Sequence, residues 1–567
     1  MKVDTFFQNF ELLTDAPNAT AKLRELILQL AVMGKLVRQD ANDEPASVLL
    51  EKIKLEKENL VQQGKIKKDK PIPIEKSFEL LNKIPQNWQW VKLQDVCIVI
   101  TDGDHLAPPQ TEIGIPLLVI GNVRNGFLDF TNTRFVPEEY FTRLDVIRVP
   151  KKGDILYTLV GSYGIPVLVN TDKPFCVQRH ISIIKPSQFF NVEYLKYLLS
   201  SEMVLKQATE CATGIAQKTV PLSGLRKMVV PLPPLAEQKR IVEKCDRLMS
   251  LCDEIEKQQK QKQDSIVRMN ESAIAQLLSS QNPDDFRHHW ERICNNFDLL
   301  YSVPETIPKL RQAILQLAVM GKLVRQDPND EPAAVLLEKI KLEKEWLIKE
   351  KKIRKSQILP AIEIDEVAFK LPVGWEWTRL DDICSKITDG VHKTPKYTEC
   401  GIPFLSVTQL KNGMLDFSNT KYISHEDHEI YYQRCNPEKG DILICKVGGT
   451  IGITTVVEVD IEFSIFVQLA LIKQIIVNPY YLKFVLLSDE VQNYIKENSV
   501  GSAIPYISLE KLKYIQVPLP PLAEQKRIVE KCDRLMSLCD RLEAKLKQGR
   551  ESREKLMEVA AKQVLLN

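Results

Sequence analysis

LRELILQLAVMGKLVRQDANDEPASVLLEKIKLEKENL, residues 23–60, returns almost unchanged at 310–347 as LRQAILQLAVMGKLVRQDPNDEPAAVLLEKIKLEKEWL. The offset is 287 residues. A second block, VPLPPLAEQKRIVEKCDRLMSLCD, stands at 230–253 and again at 517–540, at the same offset. Two blocks sharing one offset belong to a single long duplication. Between them the halves diverge but stay in register: Trp88 with Trp375, Asp102-Gly103 with Asp389-Gly390, His105 with His392, and Gly153-Asp154 with Gly440-Asp441. Asn9-Phe10 matches Asn296-Phe297, so the first residues also lie inside the repeat. Two copies of a 287-residue unit nearly account for the 567-residue chain. The simplest geometry is a closed pseudo-two-fold arrangement in which the amino and carboxyl ends lie near each other.

Apolar residues at three- and four-residue steps predict one long helix from Pro234 to about Leu278. Its stripe is Ile241, Val242, Cys245, Leu248, Met249, Cys252 and Ile255, matched by Ile528, Val529, Cys532, Leu535, Met536, Cys539 and Leu542 in the second half. Pro233-Pro234 and Pro520-Pro521 mark the helix starts, because proline suits a first helical turn. Forty-odd helical residues span roughly 60 Å, which is of the order of one to two turns of B-DNA. Shorter helices are predicted at 20–38, 45–63, 307–325 and 332–350, leading into the basic tails KIKKDK at 65–70 and KEKKIRK at 349–355. Residues 85–232 and 372–519 have another texture, with short β-rich runs such as GDILYTLVG and GDILICKVGG between Gly, Pro and Asn turns. Each of these stretches ends in a helix, near 191–210 and 478–497. The expected fold class is therefore α+β: two α/β domains joined by two long antiparallel helical regions, with internal duplication and pseudo-two-fold symmetry. The expected divisions are an N-terminal helical region 1–84, a first domain 85–232, a central helical region 233–371, a second domain 372–519 and a C-terminal helix 520–567.

A net charge of +2 leaves any nucleic-acid surface to local clustering of Lys and Arg. The twelve cysteines include no CxxC pair, so neither zinc nor a disulfide framework is indicated. The start, MKVDTFFQNFELLTDAP, lacks the apolar core of a signal peptide, and no apolar run approaches bilayer length. A cytoplasmic chain with no membrane partner is expected.

PLPPLAEQKRIVEK closing a variable domain, an AILQLAVMGKLV helix, domain openings IPQNWQWVKLQDV and LPVGWEWTRLDDI, and the presence of the whole arrangement twice, together resemble Type I restriction-modification specificity subunits over essentially the full chain. The resemblance implies a non-catalytic protein whose two target-recognition domains each read half of a bipartite site in double-stranded DNA. Because the two domains differ, the site is expected to be asymmetric. Two methyltransferase subunits and two motor-nuclease restriction subunits are the implied partners. This chain is expected to bind no cofactor and no metal, with S-adenosylmethionine, ATP and magnesium on those partners.

Catalytic machinery is missing from the sequence. It has no GxxxxGK[ST] phosphate loop and no FxGxG-type methyl-donor loop. Asn478-Pro479-Tyr480-Tyr481 lacks the second proline of a methyltransferase NPPY, and its counterpart is Asn191-Val192-Glu193-Tyr194. An Asn cap with Pro at the first helical position is the plainer reading. Pro283-Asp284-Asp285, with no ExK nearby, reads as a turn, and the helical cysteines read as core. A self-sufficient methyltransferase or nuclease is thereby disfavoured. A protein-binding scaffold is the alternative to a DNA reader.

Base edges are read by polar and basic side chains, while Lys and Arg on phosphates set position. The candidates in the first half are Asp104, His105, Asn122, Arg124, Lys151, Lys152, Ser162, Tyr163, Arg179 and His180, with Gln217-Lys218 as weaker ones. In the second half they are His392, Lys393, Thr394, Gln409, Lys411, Thr450 and Gln468, with Ser502 weaker. Asp-Gly turns are also ordinary hairpin chemistry. Polar residues identical in the repeated helices, Lys35, Arg38, Glu237 and Arg240 with Lys322, Arg325, Glu524 and Arg527, are expected to be exposed and to form two equivalent docking surfaces for partner subunits.

Overall fold

The computed structural model describes residues 14, 16, 18–68, 84–105, 108–123, 126–215, 217–355, 357, 359–363, 366–411 and 413–566. Asn9, Phe10 and Arg124 lie outside these described residues. The chain divides into two units, residues 1–261 with 549–567, and residues 262–548. Lys262 and Gly549, where the divisions fall, are one repeat apart.

In the first unit α1 (Ala19–Val32) and α2 (Ala46–Gln62) precede β1 (Gln89–Lys92), β2 (Cys97–Asp102), β3 (Ile115–Leu118), β4 (Arg134–Val136), β5 (Ile155–Thr158), β6 (Pro166–Leu168), β7 (Cys176–Val177) and β8 (Ile181–Pro186). Then come α3 (Val192–Leu199), α4 (Glu202–Cys211), β9 (Val229–Leu232) and the long α5 (Leu235–Leu278). The strands form an antiparallel sheet in the order β2-β8-β5-β6 and a smaller one, β4-β3-β7, in which β3 and β7 run parallel. Strand β1 pairs antiparallel with β9, Gln89 opposite Leu232 and Lys92 opposite Val229, so the domain opens and closes at one neck. The larger sheet is buried on both faces. Ile155 and Tyr157 face a core shared with α1 to α4, whereas Leu156 and Ile183 face a second core with Leu118 and Phe175. Met557 and Ala560, near the carboxyl end, join the first of these cores. Asn18 donates to Glu554 at 3.2 Å.

The second unit repeats this plan. It contains α6 (Pro283–Asn295), α7 (Ile307–Val319), α8 (Ala333–Lys349), β10 (Glu376–Arg379), β11 (Cys384–Asp389), β12 (Ile402–Leu405), β13 (Lys421–Ile423), α9 (His425–Arg434), β14 (Ile442–Cys445), β15 (Thr454–Val456), β16 (Ser464–Ile465), β17 (Leu469–Gln474), α10 (Pro479–Leu486), α11 (Asp489–Glu497), β18 (Gln516–Leu519) and α12 (Leu522–Leu566). Its sheets are β11-β17-β14-β15, β13-β12-β16 and β10-β18, with an added short hairpin in which Leu410-Lys411 pairs with Met414-Leu415.

The helix predicted from Pro234 begins one residue later and ends at Leu278. Cys245, Cys252, Cys532 and Cys539 are buried in the cores, where burial pushes the Cys245 and Cys532 thiols up to about 12. The helix expected over 20–38 stops at Val32. Gly34 takes a φ of +68°, the left-handed conformation that ends helices, and a Cβ there would meet Pro85 Cγ at 2.4 Å. Gly321 repeats this at φ +68° against Pro372. Pro283-Asp284-Asp285, expected as a turn, opens α6 instead, with Asn282 accepting from both aspartate N–H groups. Asn478 caps α10 by accepting from Tyr480 and Tyr481, and Pro479 stands in the first turn, as the cap reading expected.

Each unit is locked by one buried carboxylate. Glu237, in the first turn of α5, accepts from the Trp88 indole at 2.9 Å and from Gln39 at 2.6 Å. Its neighbour Gln238 donates to Pro233 O and accepts from the backbone N–H of Asn191, which caps α3. Arg240 grips Asp43 with two N–H groups, at 3.1 and 2.6 Å. Glu524, Trp375, Gln326, Gln525, Asn478, Arg527 and Asp330 reproduce every one of these contacts. The expectation that Glu237 and Glu524 are exposed is therefore corrected, since each is 1% exposed. Arg240 and Arg527 are likewise engaged within their own units. Lys35 donates to Leu565 O at the end of α12, and Lys322 to Leu278 O and Ser280 O at the end of α5, where cations suit the last carbonyls of a helix. Arg38 and Arg325 remain exposed.

Burial raises the Glu237 and Glu524 carboxyls above the ordinary glutamate range, although the tryptophan and glutamine hydrogen bonds oppose it. Glu237→Ala leaves a buried indole N–H without its acceptor and is expected to cost about 2–4 kcal/mol, with Glu237→Gln, which keeps one of the two acceptors, costing about 1–2 kcal/mol. Thermal unfolding of both variants beside wild type checks this, and the same order is expected at Glu524.

Candidate nucleic-acid interface

Antiparallel order in the larger sheet brings the carboxyl ends of β2 and β5 to the same edge as the amino ends of β8 and β6. The turn 103–105, the segment 178–180 and the loop 159–164 therefore gather there. In the second unit the turn 390–394, the segment 466–468 and the loop 446–452 do the same. The turn is pressed against the neighbouring segment, Asp104 bridging Gln178 and Val391 bridging Phe466. Only glycine permits that approach, because a Cβ on Gly103 would lie 2.0 Å from Val177 O and one on Gly390 1.9 Å from Ile465 O. A second loop joins each edge, with Val160 bridging Thr219 and Val447 bridging Tyr506, so Lys218 and Ser502 belong to segments that reach it.

The edge collects Asp104, His105, Ser162, Tyr163, Arg179 and His180 in the first unit, and His392, Lys393, Thr394, Thr450 and Gln468 in the second. Ser162, Arg179, His392, Lys393, Thr394 and Thr450 are exposed. Tyr163 donates to Thr209, and burial, with Arg179 beside it, holds the His180 imidazole below its ordinary value. Lys151 and Lys152 are not brought there. They precede β5 at the opposite end of the sheet, where Lys152 pairs with Asp172.

Asn122 and Gln409, expected as base readers, are buried and turned inward. Asn122 accepts from the Val119 N–H and donates to Thr131 O, and Gln409 accepts from Ser406 and donates to Asn419 O. Their amides hold their own loops in shape. Lys411, exposed on the same loop as Gln409, pairs with Asp416 at 2.6 Å.

Four residues at the edge escaped the sequence reading. In the first unit Arg148 donates to Gly103 O at 2.6 Å and reaches Asp102 Oδ1 at 3.2 Å, with His105 on Asp102 Oδ2 at 3.0 Å and Tyr140 on Asp104 at 2.8 Å. In the second, Asp389 holds Arg434 at 2.6 Å and His392 at 3.2 Å on one oxygen and Lys446 at 2.8 Å on the other. Burial raises the Asp389 carboxyl, and Lys446 with His392 more than offsets it, so the group lies below the ordinary aspartate range. Lys446 was legible in principle, as the residue that follows the GDILIC strand on the side of the Asp-Gly turn. Arg148 and Arg434 lie more than forty residues from the aspartates that they hold and carry no local signal.

The arrangement is that of a two-headed binding protein: one α/β domain present twice, clamped alike in each unit, with different polar groups at the equivalent sheet edge. Among the described residues no cluster of His, Cys, Asp and Glu fits a metal ion, and no helix is long and apolar enough to cross a membrane. The model of the Type I restriction modification DNA specificity domain matches residues 85–263 and 372–549, and the chain belongs to that family. It is 34% identical to the Type I restriction enzyme EcoAI specificity subunit of Escherichia coli, over 94% of this chain and 91% of that one. It is 32% identical to the EcoEI specificity subunit of Escherichia coli, with the same coverage. A chain in a solved structure concerned with assembly and conformational transition of the type I R-M system matches 85% of this chain and 98% of its own length, at 19% identity and a TM-score of 0.46.

Replacing Gly390 by alanine sets a methyl group against a backbone carbonyl that cannot move aside, and is expected to cost about 2 kcal/mol or more. Hydrogen exchange should show the 389–394 and 464–469 amides losing protection while α12 keeps its own. Gly103→Ala should act in the same way on 102–105 and 176–181.

Proposed function

We propose that this specificity subunit reads a bipartite, asymmetric site in double-stranded DNA, each α/β domain taking one half, and that it directs methylation and restriction carried out by other subunits. The observation that carries the reading is the contrast between an identical clamp and a non-identical edge. Positions that hold the frame repeat residue for residue, whereas Asp104 stands against Val391 and Leu159 against Lys446. Two readers of the same half-site would have no use for that difference.

The chain is read as non-catalytic. Its partners are two methyltransferase subunits and two motor-nuclease restriction subunits in a cytoplasmic complex, and S-adenosylmethionine, ATP and magnesium reside on them. Arg38 and Arg325, exposed one repeat apart, are the residues of the repeated helices left for equivalent docking. Lys35 and Lys322 shape those surfaces by capping the long helices.

The test is to sequence the methylome of a host expressing the chain with its methyltransferase partner, against a host lacking only this chain. A bipartite, non-palindromic methylated motif that depends on the chain is expected. An assembled complex without such a motif would favour the protein-binding scaffold.

A further inference from the structure

The two recognition edges are built on the same aspartate but differ in what that aspartate does with its arginine. In the first unit Arg148 works, like Arg434 in the second, through one nitrogen, here Nη1, which donates to Gly103 O at 2.6 Å and reaches Asp102 Oδ1 at 3.2 Å. Its side chain is 29% exposed. Leu159, buried, follows β5 on the inner side and brings no charge, so Arg148 and the His105 imidazole are what Asp102 has for compensation.

In the second unit Lys446 stands where Leu159 stands. Its side chain is 10% exposed and its ammonium sits 2.8 Å from Asp389 Oδ2. A buried lysine thus meets the buried carboxylate's charge from inside the domain. Arg434 reaches the other oxygen through Nη2 alone, at 2.6 Å, and its side chain is 54% exposed. His392 lies 3.2 Å from the same nitrogen and is 61% exposed. Val391 replaces the acidic Asp104, and Lys393 follows in the exposed turn. With histidines taken as neutral, Asp102, Asp104, Arg148, Arg179 and Lys218 leave one positive charge, whereas Asp389, Lys393, Arg434 and Lys446 leave two. Arg434 and His392 also line a cleft of about 170 Å³ whose other walls, Val391, Ile430 and Ile465 among them, are largely apolar.

We infer that Arg434, aimed by Asp389 while Lys446 meets the other carboxylate oxygen, grips a DNA phosphate for the second domain, and that Arg148 in the first domain does not. The two domains then hold DNA differently: the second is anchored to the backbone through the arginine on its buried aspartate, and the first is not. This inference rests on the DNA-reading role proposed above. Arg434 is a positioning residue, because phosphate contacts set register and orientation without reading bases.

The test uses the assembled complex of the full chain with its methyltransferase subunits, and a duplex carrying the motif that this complex methylates. Binding is measured across a range of salt concentrations. Each phosphate contact contributes about 0.9 to the slope of log K against log salt, so Arg434→Gln should flatten that slope by about one while the methylated motif stays the same. Arg148→Gln should leave the slope unchanged and lower the thermal stability of the first unit. An unaltered slope in Arg434→Gln, an equal loss in Arg148→Gln, or a change of methylated sequence in Arg434→Gln would each overturn the inference. Failure of the wild-type complex to prefer its motif would instead overturn the DNA-reading role itself.

Discussion

The hydrogen bond from the Trp88 indole to the buried carboxylate of Glu237, with its copy from Trp375 to Glu524, is the constraint to which the rest of each unit answers. A carboxylate taken out of water is costly unless its oxygens are met. Here both are met, by Trp88 just before the first strand and by Gln39 from the segment between α1 and α2. One side chain therefore ties the neck of the recognition domain and the helical linker to the first turn of the long helix. Gln238 extends the tie to α3 through the Asn191 backbone, and Arg240 extends it to Asp43. Three residues of one helical turn, Glu237, Gln238 and Arg240, thus join the neck, the linker and α3 to the long helix.

This clamp explains why the second repeated block is so nearly invariant between the halves. Glu237 and Gln238 face inward, and they and Arg240 each have a partner fixed by geometry. The far end of the domain has no such obligations. Beyond the glycine that lets the turn touch its neighbour, half-buried side chains at the sheet edge differ between the units, so Asp104 and Val391, or His180 and Gln468, occupy like places.

The architecture was legible because its signals are periodic and long: the 287-residue offset, the stripe along α5, and prolines at the helix starts. The shorter helices were over-extended, since propensity reads through Leu36 and Val37, while Gly34 breaks the helix before them to make room for Pro85 and Trp88. The polar residues were misread for a related reason. Glu237 and Arg240 look like an exposed face of an amphipathic helix, and nothing nearby announces that a tryptophan 149 positions earlier will close over the carboxylate. At the edge, turns and strand ends were found from local chemistry, whereas Arg148 and Arg434 were not. Their distance from the Asp-Gly turn is bridged only by the fold, and they arrive by different routes, one from a short 3₁₀ turn and the other from the end of α9.

Each recognition domain meets the Glu-Gln pair of the clamp at two points. Trp88 and the backbone N–H of Asn191 are what the domain presents to Glu237 and Gln238; the remaining clamp partners come from the repeated helices and their linkers. A domain that keeps a tryptophan before its first strand and a helix cap at the right place satisfies the clamp whatever its edge carries. The edge in turn needs one rigid element to keep its groups in place, and the buried aspartate at the end of β2 or β11 supplies it. That aspartate draws cations toward it, and the residue after the third strand, Leu159 or Lys446, decides how much of their charge is consumed. Orientation and charge are thus controlled at opposite ends of the sheet by different residues, which lets one vary while the other is held.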